Sequence, residues 1–188
     1  WKIYPLPNKM VIRSIAIGSD NKIYIGSQAD FGYFSPANNG KLVYTSLKPL
    51  LPEKKTIITE IWEIIALGNN VFFRSRENII GFSNNTINVY PAINEWQFLG
   101  KSHNRLFAQD SKTGLLEFKK GLWQPFIKEN SFPDGFLVTT MFPFGEDSTF
   151  ITTINSGFFI LSGNEISRFE FKRTDPFKNQ RILTATPI

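Results

Sequence analysis

One unit of turn, strand, strand, turn and strand returns along this chain, and that recurrence limits the folds open to it. Asp20-Asn21-Lys22-Ile23-Tyr24-Ile25-Gly26-Ser27 aligns with Gly68-Asn69-Asn70-Val71-Phe72-Phe73-Arg74-Ser75. It also aligns with Ser102-His103-Asn104-Arg105-Leu106-Phe107-Ala108-Gln109 and with Glu146-Asp147-Ser148-Thr149-Phe150-Ile151-Thr152-Thr153. The anchors Tyr24, Phe72, Leu106 and Phe150 lie 48, 34 and 44 residues apart. Each anchor strand is followed by a second short apolar strand at 31–34, 78–82, 114–118 and 157–161. Asn- and Gly-bearing turns come next, and these residues accept the positive φ that tight hairpins demand. Closing strands are expected at 42–46, 86–90, 122–127 and 165–171, and opening strands at 11–17, 61–66, 96–100 and 136–144.

Four short strands per unit at a period near 40–50 residues match the blades of a β-propeller. The expected fold is therefore all-β. It is a β-propeller fragment of about four blades of four antiparallel strands, with partial strands at both ends. The blades fall near 11–47, 61–90, 96–127 and 136–171, within one partial domain over 1–188. Residues 1–7 resemble the closing strand of a unit and 182–188 the opening strand of another, as in a piece of a longer array. The best helical candidate, 59–65, is short and β-branched and carries no apolar stripe at helical spacing, so strand is preferred. Pro49 and Pro52 predict an irregular loop over 48–59.

Aromatic residues make up 15% of the chain, 19 of them Phe, which supplies flat apolar groups for packing sheets face to face. There is no Cys, so disulfides and thiolate metal sites are excluded. The formal charge of +5 is spread out. Its densest groups are at 53–55, 119–120 and 172–173, and they form no single track, so no direct nucleic-acid contact is expected. No apolar run approaches the ~18 residues of a membrane span.

No catalytic constellation is legible. The sole His, His103, sits in a turn, and neither a nucleophile elbow nor a phosphate loop occurs. Asp110-Ser111-Lys112-Thr113-Gly114 lacks the alternating ligands of a calcium loop and reads as an Asx turn with Gly at positive φ. The sequon Asn84-Asn85-Thr86 reads as hairpin chemistry. No catalytic residue, metal site or cofactor is therefore assigned. The ligand-binding candidates are Arg74 and Arg76, whose guanidinium forks suit carboxylate or sulfate, and Trp62 and Trp96, with Trp123 beside them, whose faces suit sugar rings. Blade packing for the tryptophans and surface ion pairs for the arginines are the commoner roles of such residues.

Gly26-Ser27, Asp30-Phe31-Gly32-Tyr33, the run from Gly40 to Leu47, and Leu51-Pro52 are similar to the periplasmic propeller repeats of two-component regulators from Bacteroidetes-type bacteria. Ile61-Trp62-Glu63-Ile64 and Val71-Phe72-Phe73-Arg74-Ser75 continue the pattern, which weakens after Gln97. Arg105 departs from the Ile, Val or Thr of the other blades. The resemblance implies a non-catalytic, extracytoplasmic ligand-sensing domain in the periplasm, with an oligosaccharide as ligand. It also implies a triple-tyrosine module, a membrane helix, and a histidine kinase or helix-turn-helix output elsewhere in the protein. The matching residues are structural, so no ligand contact carries over. A protein-interaction scaffold is the alternative, followed by a propeller lyase or hydrolase.

Open blade edges invite pairing with a second chain. The 188-residue chain is therefore expected to self-associate. Light scattering at micromolar concentration checks this, and a strict monomer would count against an open array.

Overall fold

In a computed structural model, the structure describes residues 2–7, 9–52, 57–126, 135–170, 177 and 180–186. The charge groups at 53–55 and 172–173, and residues 1, 127, 171, 187 and 188 of the expected strands, lie outside the described residues. Among the described residues sixteen strands form four sheets, each a meander of four consecutive antiparallel strands. The first holds β1 (Ile12–Ile17), β2 (Ile23–Ser27), β3 (Phe31–Pro36) and β4 (Leu42–Ser46). The second holds β5 (Glu63–Leu67), β6 (Asn70–Arg74), β7 (Asn78–Ser83) and β8 (Thr86–Pro91). The third holds β9 (Trp96–Ser102), β10 (Arg105–Asp110), β11 (Gly114–Lys119) and β12 (Leu122–Pro125). The fourth holds β13 (Val138–Phe144), β14 (Ser148–Thr153), β15 (Phe158–Ser162) and β16 (Glu165–Arg168). These are propeller blades, as the repeat predicts.

The turns follow from their residues. Asn84 and Asn85 have φ of 49° and 60°, and Lys120 and Gly121 have 50° and 82°. Two successive positive φ values match the right-handed twist of flanking strands, which is why Asn and Gly occupy hairpin tips. The sequon is thus the tip of the β7–β8 hairpin. Asp110 Oδ1 accepts from the Lys112 and Thr113 amides at 2.9 and 3.1 Å, the expected Asx turn. One expectation fails. A single 3-10 turn spans Lys48–Leu50 inside the loop read as irregular. Proline is tolerated in the first turn of a helix because its missing N–H would have no partner there.

Two compact units divide the chain, residues 1–96 and 97–188. In the first, the facing sides of the first two sheets share a core in which Phe31 and Phe73 are fully buried with ring centroids 5.0 Å apart. On the other side of the first sheet, Leu6 packs against Ile25 and Phe34. In the second unit, Phe107 and Ile151 are fully buried in a core that Val138 and Phe159 complete. Burying one such side chain stabilises by roughly 1.5–3 kcal/mol.

Each sheet is also fastened to the segment that follows it. The Ile61 amide donates to the Ser27 carbonyl at 3.1 Å, and the Trp96 amide to the Arg76 carbonyl at 2.8 Å. In the second unit the Gln109 side chain donates to the Phe136 carbonyl at 2.6 Å and accepts from the Val138 amide at 2.9 Å. The Ile182 amide donates to the Ile154 carbonyl at 3.1 Å. The described parts of the two end segments, 2–7 and 180–186, pair in no ladder.

Gly32 lies where the strands press closest. A Cβ there would meet the Thr45 carbonyl and the Tyr44 ring. Gly32→Ala is expected to destabilise by about 2–3 kcal/mol, since the clash is with backbone. A urea midpoint unchanged from wild type would refute this packing.

Candidate functional site

Of the candidates from the sequence, Arg74, Arg76 and Trp62 lie on or beside the second sheet, Trp96 opens β9 and Trp123 lies on β12, and the structure separates the first four into two pairs. Arg74 ends β6 with its side chain 7% exposed. Its Nε donates to Glu63, and its Nη1 to the Trp96 carbonyl at 2.6 Å. That guanidinium is an internal strut and offers no fork to a ligand. Trp96 is buried, and its Nε1 donates to the Tyr90 carbonyl at 3.0 Å. Trp123 is half-buried against Phe118, ring centroids 5.0 Å apart.

Trp62 and Arg76 are the exposed pair. Trp62 precedes β5 and is 38% exposed; its amide donates to the Arg74 carbonyl. The Arg13 guanidinium carbon stands 5.3 Å from the Trp62 ring centroid. Arg13 Nη2 donates to Glu60 Oε1 at 2.8 Å. An indole face and a partly exposed ion pair therefore share one surface patch. Arg76 lies in the turn after β6, with Nε 3.3 Å from Glu95 Oε1. An indole offers its apolar face to C–H groups, and the Arg–Glu pair offers donor and acceptor together. That combination suits a hydroxylated ring. Arg13 and Glu60 escape sequence reading because 47 residues separate them. The available signal is a lone charged residue at the start of β1, in Ile12-Arg13-Ser14-Ile15.

A second ionic group lies in the other unit. Arg105 donates to both Glu117 oxygens at 2.9 Å, and Lys119 stands 2.8 Å from Oε2. The Arg105 guanidinium carbon also lies 4.8 Å from the Phe126 ring centroid. Arg105 departs from the repeat because it neutralises Glu117, whose side chain is only 5% exposed. Burial pushes the Glu117 pKa up. Hydrogen bonds from Arg105 and Lys119 outweigh that and leave it below the usual carboxylate range. His103 is exposed in its turn, φ 52°, with Nε2 3.0 Å from the Ser148 carbonyl. Among the described residues no group of three or more His, Asp or Glu is placed to hold a metal.

No family model and no curated protein matches the sequence. Solved structures do match its fold. Virginiamycin B lyase from Staphylococcus aureus superposes with a TM-score of 0.66 at 16% identity, over 90% of this chain and 59% of the lyase. The extracellular domain of a protein assigned as a hybrid two-component system of B. thetaiotaomicron superposes with a TM-score of 0.65 at 11% identity, over 94% of this chain and 24% of that one. The computationally designed Ika4 protein gives 0.58 at 12% identity, over 85% of this chain and 95% of that one. At such identities the likeness is one of fold. This chain spans less than two thirds of the lyase and about a quarter of the two-component chain.

Glu117 yields a pH prediction. Its folded pKa is depressed, so the unfolded chain binds a proton more readily. The stabilisation is present above the unfolded value near 4.5 and is lost as pH falls through the folded value. Glu117→Gln is expected to lower stability by about 1.5–3 kcal/mol at neutral pH, and to flatten the decline below pH 4.5. Urea titrations of both proteins across that range check it; parallel pH curves would refute the assignment.

Proposed function

We propose that this propeller is the extracytoplasmic ligand-sensing part of a bacterial signal-transduction or transcription regulator, and that its ligand is an oligosaccharide. The observation that carries the reading is the exposed patch of Trp62, Arg13 and Glu60, in which an aromatic face adjoins a paired donor and acceptor. Two features support it. The fold is shared with the extracellular domains of two B. thetaiotaomicron chains assigned as hybrid two-component systems. The sequence resembles the propeller repeats of such regulators. In this reading the propeller binds and does not catalyse, and its output lies in another part of the protein. To signal, the ligand must bind one arrangement of the blades more tightly than another.

A protein-interaction scaffold is the second reading, favoured by one observation. Ile15 and Ile17 on β1 are 60% and 69% exposed, whereas Ile64, at the position of Ile15 in the second sheet, is 8% exposed. Apolar residues so exposed on a strand face suit a protein partner.

Oligosaccharides screened by tryptophan fluorescence separate the two. The sensory reading expects a glycan that shifts the emission, with Trp62→Ala weakening it about tenfold, or about 1.4 kcal/mol. Arg76→Ala is expected to cost less, because Arg76 is held by Glu95 on an open surface. If no glycan binds and the partner recovered is a protein whose binding fails in Ile15→Asp, the scaffold reading replaces it. The full coding frame is a further check, which expects a membrane helix followed by a kinase or helix-turn-helix module.

A further inference from the structure

We infer that the cleft between the first two blades, at the end formed by the β1–β2, β5–β6 and β7–β8 hairpins, binds a single polyhydroxylated ring through a vicinal pair of hydroxyls held by Asp20 and Lys22. This inference does not rest on the sensory reading, nor on the Trp62 patch. The cleft has a volume of about 280 Å³. Tyr24, Val71 and Phe82, all buried, line it from below, and the half-buried Tyr33 adjoins them. Polar turn residues line the rest, among them Asn69, Asn84 and Asn85 of the second blade.

The charged pair at its edge is built in advance. Asp20 Oδ2 accepts from the Tyr24 hydroxyl at 3.0 Å and faces Lys22 Nζ at 2.9 Å, while Oδ1 accepts from the Lys22 amide at 3.2 Å. Lys22 Nζ also stands 4.5 Å from the Tyr33 ring centroid. The carboxylate and the ammonium are thus held in place by the hairpin itself. Their side chains are 41% and 32% exposed, so both remain open to a ligand. Burial raises the Asp20 pKa, but hydrogen bonds from Lys22 and Tyr24 outweigh it, and the group stays ionised at neutral pH.

Chemistry narrows the ligand. Asp20 and Lys22 cancel, so neither a simple anion nor a simple cation gains from the pair. One carboxylate is too few for a divalent cation, which takes several oxygen ligands. A hydroxyl both donates and accepts. Two adjacent hydroxyls can therefore donate to Asp20 and accept from Lys22 at once. Asn84 and Asn85 add amide donors and acceptors, and Tyr33 and Phe82 offer aromatic carbon to the C–H face of a ring. The volume falls at the lower end of small-molecule pockets, which limits the ligand to about one ring. The cleft walls come from two sheets, joined at this rim by Ser19 Oγ donating to the Gly68 carbonyl at 2.9 Å. A bound ring would tie those two blades together and stabilise them by an amount that grows with the logarithm of its concentration above Kd.

The test is an amide-resolved NMR titration of the full chain with methyl α-D-glucopyranoside, methyl α-D-mannopyranoside and methyl β-D-galactopyranoside. At least one is expected to give saturable shifts at Gly18, Gly68, Asn84 and Asn85, at the weak, millimolar end of affinity. Lys22→Met keeps the apolar stem over Tyr33 and removes the ammonium, and it is expected to weaken binding at least tenfold. Asn85→Asp tolerates the same positive φ while removing the amide donor, and it should also weaken binding without moving the melting temperature. Shifts that survive Lys22→Met, or that glycine produces equally, would overturn the inference. So would no saturable shift with any of the three sugars. Shifts confined to Arg13, Glu60 and Trp62 would overturn it too, while leaving the proposed function standing.

Discussion

A backbone hydrogen bond from the Ile61 amide to the Ser27 carbonyl sets how the first sheet meets the second. A blade buries its two faces only if its neighbour arrives at the right height. Apolar packing is non-directional and does not specify that height. The directional bond does, and it recurs. Trp96 bonds back to Arg76, and Ile182 to Ile154. At the third blade the Gln109 side chain takes over the task by gripping both Phe136 and Val138. Its counterparts Ser27, Ser75 and Thr153 instead bond within their own turns.

The same constraint explains where the buried polar groups went. Arg74 reaches the Trp96 carbonyl and Glu63, so it braces the entry to the third blade. Glu117 is satisfied by Arg105 and Lys119. A buried charge left unpaired costs more than a neutral residue would, so each of these groups is tied to a specific partner. The groups proposed to meet ligands are those at the margins: Trp62 with Arg13 and Glu60 at one end of the first two blades, and Asp20 with Lys22 at the hairpin end. In both places charge pairs with charge beside an aromatic ring.

What could be read in advance was local. The Asn and Gly turns and the short apolar strands between them depend on residues close in sequence, and the anchors only had to be seen to recur. Strand bounds derived from them agree with the structure to within a residue or two in most places, as at Leu42–Ser46. The Asx turn at Asp110 and the hairpin at Asn84-Asn85 were legible for the same reason. The 3-10 turn at Lys48–Leu50 was not, because two prolines signal a break in structure more strongly than they signal a single helical turn.

The sites were legible only in part, because a side chain's freedom depends on what arrives from elsewhere. Arg74 and Arg76 are two residues apart and chemically alike, yet one is buried between Glu63 and Trp96 and the other lies open beside Glu95. Trp62 and Trp96 differ in the same way. By itself the sequence determined the strands, the turns and the four-blade repeat, since these rest on short-range sterics and periodicity. Only the tertiary structure decided which arginine and which tryptophan remained exposed, and which distant charges met them. Arg13 reaches Trp62 only when the first blade packs against the second, a contact that no local pattern encodes.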